Sequence, residues 1–195
     1  MGTVLGQPQL PDPNLLAAPG RPNVAPPNFT AVAAQHAVGL LRLQAPSIQI
    51  SAVGTGFVGV PVWLWIDRGP QFTGPVSATA TAGSAQVTAT GHLVEVDWLM
   101  GPEGAQVRCT GPGTPWTGQR GPSPDCGYVY AARSLPERTG GTGRWPITAT
   151  SVWQVDWAGT TGGVPVAGGQ VVQVAAQTTL AVGEVQVLIT GGGGS

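Results

Sequence analysis

The chain of 195 residues contains no lysine. Its cations are eight arginines: Arg21, Arg42, Arg68, Arg108, Arg120, Arg133, Arg138 and Arg144. Charged residues make up only 9%, against about a quarter in an ordinary soluble domain. Net charge is −1, and the arginines are scattered, so the clustered basic face that nucleic-acid binding requires is missing. No apolar run reaches the roughly 18 residues of a membrane-spanning helix. No cationic start leads into an apolar stretch, so no intact signal peptide is read. Only two cysteines and two histidines are available for metal or thiol chemistry.

What is present is glycine (31) and proline (19), too much of both for a helical fold. Residues 1–45 are an extended, Pro-rich N-terminal segment, with prolines at 8, 11, 13, 19, 22, 26 and 27. These rule out a central strand or a continuous helix. The segment reads as a strap along the domain or as a linker, and "FTAVAAQHAVGLLRL" within it has the option of one short helix. The opening Met-Gly reads as an addition before a mature N-terminus, and residues 191–195, "GGGGS", as a flexible-linker scar.

Residues 46–190 change character. Short β-prone runs alternate with Gly and Pro: "VGVPVWLWI" (58–66), "VSATATA" (76–82), "AQVTAT" (85–90), "LVEVDWLM" (93–100) and "ITATSVWQVDW" (147–157). Gly83-Ser84 is placed to turn a hairpin. Period-2 alternation puts Val94, Val96, Trp98 and Met100 on one face, and Ile147, Ala149, Trp153, Val155 and Trp157 on another. "GQVVQVAAQTTLAVGEVQVLIT" (169–190) is one long strand bent at Gly183, or a hairpin. Roughly nine strands at this spacing predict an all-β sandwich.

Cys109 and Cys126 enclose "TGPGTPWTGQRGPSPD". Zinc needs about four ligands, and no CxxC or HxxxH spacing supplies them. A catalytic thiolate needs a nearby base, and no histidine lies close in sequence. A disulfide needs only proximity and an oxidising compartment. It is the favoured reading, and it implies a secreted or cell-surface protein. Trp116 and Arg120 inside this loop are the candidate binding residues. Two fates are open for Trp116: projecting as a contact, or folding back to cap the sandwich.

The chemistry-bearing residues are few. Asp97 and Asp156 lie on polar strand faces, and a hydrolase would draw on them or on His92. His36 falls in the N-terminal segment, and no G-x-S-x-G elbow is present. Glu103 and Asp125 are loop acids of the kind calcium uses, without the spaced acidic run of a calcium loop. No cofactor or metal is expected.

"VDWLMGPEG" (96–104), "CGYVY" (126–130) and "WPITATSVWQVDW" (145–157) fall where PKD domains carry W-x-F-G-D-G, H-T-Y and a Thr/Val strand. The chain therefore resembles the PKD-like (Ig-like) β-sandwich, with Pro102-Glu103 standing where PKD domains have Asp. Over residues 40–190 it also resembles uncharacterised secreted proteins of high-GC Gram-positive bacteria, through "VGVPVWLWI", "VTATG", "CTGPGTPW", "SPDCGYVY" and "VGEVQVLIT". Some of those are labelled ATP- or GTP-binding. Here there is no GxxxxGK[ST] and no lysine to reach a phosphate.

The leading expectation is a non-catalytic secreted or cell-surface β-sandwich that binds or spaces a protein or cell-envelope component. The alternative is a structural subunit of a secretion, conjugation or surface-appendage complex, assembling through its N-terminal segment, with self-association as an option. A hydrolase is the third.

Overall fold

The computed structural model describes residues 28–185. Residues 1–27 of the expected 1–45 strap, the part of the expected 169–190 strand or hairpin after Val185, and the linker scar lie outside the described residues. Nine strands and one α-helix follow in chain order: α1 (Phe29–Leu40), β1 (Ile48–Ile50), β2 (Thr55–Phe57), β3 (Pro61–Ile66), β4 (Val76–Ala82), β5 (Ala85–Leu99), β6 (Gln106–Thr110), β7 (Gly127–Val129), β8 (Trp145–Thr161) and β9 (Val164–Gly183).

The strands form two sheets packed in a sandwich-like arrangement. The small one is ordered β1-β3-β7. The large one is ordered β2-β9-β8-β5-β4, with β6 continuing the same edge of β5 beyond β4. All pairings are antiparallel except β2 on β9. Two tight hairpins build the large sheet. Gly83-Ser84 joins β4 to β5, as expected. Gly162-Gly163 joins β8 to β9, both glycines at positive φ (56° and 84°), which the two-residue type I′ turn demands and side chains resist.

Two runs read as separate strands, 85–90 and 93–100, are one 15-residue strand. Its pairing with β8 carries through a bulge between Leu93 and Glu95. Along β8 every odd residue from Trp145 to Val155 faces the interior. Along β5 the interior residues are Ala85, Val87, Ala89 and Leu93 before the bulge, then Val96 and Trp98 after it, with Met100 continuing the inward set just past the strand. The extra residue switches the inward parity. This corrects the expected position of Val94, which is 43% exposed and not in line with Val96 and Trp98.

The inner face of the large sheet is covered from two sides of the bulge by different elements. The small sheet covers one end: Val62, Leu64 and Ile66 of β3 pack on Val96, Trp98, Met100, Ile147, Ala149, Leu180 and Val182. Helix α1 covers the other: Ala33, Ala34, Ala37 and Leu41 pack on Ala80, Ala85, Val87, Ala89, Trp153 and Val155. Alanine on the buried helix face allows close approach to the sheet and has the best intrinsic helix propensity. Asn28 caps the helix by accepting from the Ala31 N–H (3.1 Å). Thr30 ties its start to the far end of β8 through Thr161 (2.6 Å). The short helix allowed within the N-terminal segment is thus what forms over Phe29–Leu40.

The bulge gives a direct prediction. Deleting Val94 leaves Leu93, Glu95 and Val96 opposite Trp153, Val152 and Ser151 in plain alternation, so Trp98 stays in the core and the loss of stability stays below about 2 kcal/mol. An alanine inserted between Val96 and Asp97 instead turns Trp98 outward and costs at least about 3 kcal/mol in chemical denaturation. Val94→Thr keeps the extra residue and changes stability by less than about 1 kcal/mol.

Candidate functional site: the cleft under the disulfide loop

Cys109 is the next-to-last residue of β6 in the large sheet, and Cys126 immediately precedes β7 in the small one. They form the expected disulfide, with Cα atoms 5.5 Å apart and both residues buried. The bridge therefore joins the two sheets at their rims. The chain between them folds back over the outer face of β3. The Pro112 carbonyl accepts from the Ile66 N–H (2.9 Å), and the Cys126 carbonyl from the Leu64 N–H (3.0 Å). Gly113 passes so close that a Cβ there would collide with the Leu64 carbonyl.

This loop explains an otherwise puzzling burial. Trp63 and Trp65 share a face of β3, as the alternation predicts, but it is the outer face, opposite Val62 and Leu64. Trp63 is nonetheless only 5% exposed. Its indole N–H donates to the Gly121 carbonyl (2.8 Å), so the loop is its cover.

Despite its Gly/Pro composition the loop is internally bonded. Trp116 donates its indole N–H to the Gln119 carbonyl (2.8 Å), and the Gln119 side chain accepts from the Thr117 N–H (2.7 Å). Asp125 accepts from the Thr114 N–H and Oγ1 (3.1 and 2.8 Å) and from Ser123 Oγ (3.1 Å). Burial pushes the Asp125 carboxyl up, but these hydrogen bonds outweigh it and leave the group below its ordinary 3.8. A depressed carboxyl stabilises the folded loop above its unfolded pKa, and that contribution fades as pH falls through the lower folded value.

Between the loop and the β1–β3 segment lies a cleft of about 370 Å³. Trp116, Gln119 and Arg120 form one wall; Phe57, Val60 and Trp63 form the other. Phe57, Val60 and Trp116 are 39%, 49% and 36% exposed, an unusual cluster of large apolar side chains at a surface. Arg120 is exposed, and among the described residues it makes no hydrogen bond or ion pair. The structure thus brings Trp116 and Arg120 into one cleft. Both fates considered for Trp116 are partly realised: its N–H is tied down, and its ring remains accessible. Phe57 and Val60 were not singled out from sequence. The signal was present in "GTGFVGV", where glycines bracket an aromatic that no alternation claims for the core.

The other candidates do not converge. Asp97 pairs with Arg108 (2.9 Å), its cross-strand neighbour on β6, and Glu95 lies 3.7 Å from the same guanidinium. The hydrogen bond and charge of Asp97, then the charge of Glu95, raise the Arg108 pKa. Asp97 faces Thr150 on β8, and Asp156 lies further along that strand. The step from Thr150 to Asp156 is roughly 20 Å at about 3.3 Å per residue, well beyond the spacing of a glycosidase pair. His92 is exposed and opposite Gln154, whose amide bonds Asp156 (2.9 Å). Glu103 and Asp125 border different surface depressions. Among the described residues, no three of His, Cys, Asp and Glu gather closely enough to hold a metal ion. No described helix is long and apolar enough to cross a membrane.

No family model, no curated protein and no solved structure matches the chain.

The two loop-side tryptophans separate structure from surface. Trp63→Ala is expected to cost about 3–5 kcal/mol of stability, because it empties the space under the loop. Trp116→Ala is expected to cost less than about 1.5 kcal/mol. Chemical denaturation of both variants checks this.

Proposed function

We propose that the protein is a non-catalytic, secreted or cell-surface β-sandwich of PKD-like (Ig-like) type that binds a protein or cell-envelope component through the cleft of Trp116, Arg120, Phe57 and Val60. The observation that carries the proposal is the accessible Trp–Arg pair on a bonded, disulfide-held loop. Tryptophan and arginine are the side chains that most often dominate binding energy, and a rigid loop loses little entropy when it is occupied. The partner chemistry that fits is an aromatic or branched aliphatic group for the Trp116–Phe57 walls, with a carboxylate within reach of Arg120. Secretion is supported by the disulfide, which persists in oxidising compartments. An Ig-like type is supported by two face-to-face sheets tied together by a disulfide, and kinship with secreted proteins of high-GC Gram-positive bacteria by the shared sequence runs.

The test is retention on a cell-envelope fraction of a high-GC Gram-positive bacterium. The paired Trp116→Ala, Arg120→Ala variant is expected to lose at least tenfold in binding while keeping its thermal transition. Equal retention of the variant and the parent contradicts the assignment of the cleft.

A further inference from the structure

The longest of the described strands leaves most of one edge unpaired. One edge of β9 pairs with β8 from Val164 to Leu180 without a register shift. On the other edge β2 occupies only Ala181–Gly183. Among the described residues no strand pairs with the outer edge from Val166 to Gln177.

Which backbone groups face outward follows from the anchored end. The Gly183 carbonyl accepts from the Val58 N–H (3.0 Å), on the side away from β8. Val182 bonds Ser134 through both its N–H and its carbonyl, on the opposite side. With the ladder unbroken, alternation directs the N–H and C=O of Gln177, Ala175, Gln173, Val171 and Gly169 outward. Thr179 belongs to the same set, and its carbonyl is already taken by the Arg144 guanidinium (3.0 Å).

Natural sheet edges are blunted by lysine, proline, bulges or inward charges. β9 carries no charged residue over Val164–Gly183, no bulge, and no proline after Pro165. The chain's own terminal segments are poor covers for it. Residues 1–27 hold seven prolines, which interrupt any ladder, and 186–190 offer only a short run before the glycines. The sequence that does match the edge in length, neutrality and freedom from proline is β9 itself.

We propose that β9 pairs antiparallel with β9 of a second copy about a two-fold axis at Gln173, joining the two large sheets into one. In that register Gln173 faces Gln173 of the second copy on the outer face. Val171 faces Ala175, and on the inner face Val172 faces Val174. Val172 and Val174 are half-buried in the single chain, and pairing covers their open flank. Each residue then meets a neutral partner of compatible size, and the interface is isologous and closed. The edge from Val166 to Gln177 shares no residue with the loop cleft, so the pairing stands or falls independently of the partner proposed there.

Sedimentation equilibrium of the full chain tests it, with Gln173→Pro, Gln173→Lys and Gln173→Glu. The Gln173 N–H points away from β8, so proline removes an intermolecular donor and no intramolecular one. The parent is expected to show a concentration-dependent dimer, which Gln173→Pro weakens at least tenfold with an unchanged thermal transition. If Gln173→Pro unfolds the chain, the charge pair decides: Lys and Glu variants each dissociate more readily than the parent, and an equimolar mixture restores the dimer. A parent monomeric at all concentrations overturns the proposal. So does a dimer insensitive to all three changes, or one lost on deleting residues 1–27 or 186–195.

Discussion

The Cys109–Cys126 bridge is the constraint on which the rest of this architecture turns. It fastens the end of β6, in the large sheet, to the residue before β7, in the small one. Closing a loop of this length removes unfolded-state entropy worth about 3 kcal/mol. Its local consequence matters as much. The enclosed residues are rich in Gly and Pro and bring little core of their own. Held at both ends, they lie on β3, cover Trp63 and present Trp116 beside Phe57. Asp125, next to the bridge, bonds Thr114 across the loop and prevents it from splaying.

The second constraint is length. Strands of 15 to 20 residues make a sheet too long for a three-stranded partner to cover. The protein resolves this by dividing the inner face. The small sheet takes one part, an alanine-faced helix takes the other, and the bulge at Leu93/Glu95 falls between them. The polar outer face needs no cover, and its Ser77–Thr90 and Thr79–Thr88 pairs bond across strands (2.8 and 2.7 Å). What the arrangement leaves unpaired among the described residues is the neutral edge of β9.

Much of this was legible in the sequence because it depends on local pattern. The alternation from Ile147 to Val155 marked the interior face of β8, the Gly83-Ser84 turn marked the β4–β5 hairpin, and the cysteine loop marked its own closure. The bulge was not legible. It preserves alternation on both sides and announces itself only through the partner strand, so Val94 was placed inward. Gly162-Gly163 escaped notice because Pro165 follows it, and proline argues against a strand unless the strand is an edge. Helix α1 was only one option because its alanines alternate with nothing; its place is set by the sheet it covers. Trp63 is buried on the outer face of β3 by a loop whose path no periodicity encodes.

The account's central claim is that the bridge both joins the sheets and builds the cleft. Thermal unfolding of the Cys109→Ala, Cys126→Ala variant, followed by tryptophan fluorescence, tests it most directly. The account predicts a midpoint lower by about 6–12 °C, together with a red shift of native-state emission as Trp63 loses its cover. An unchanged midpoint and an unchanged native spectrum would contradict it.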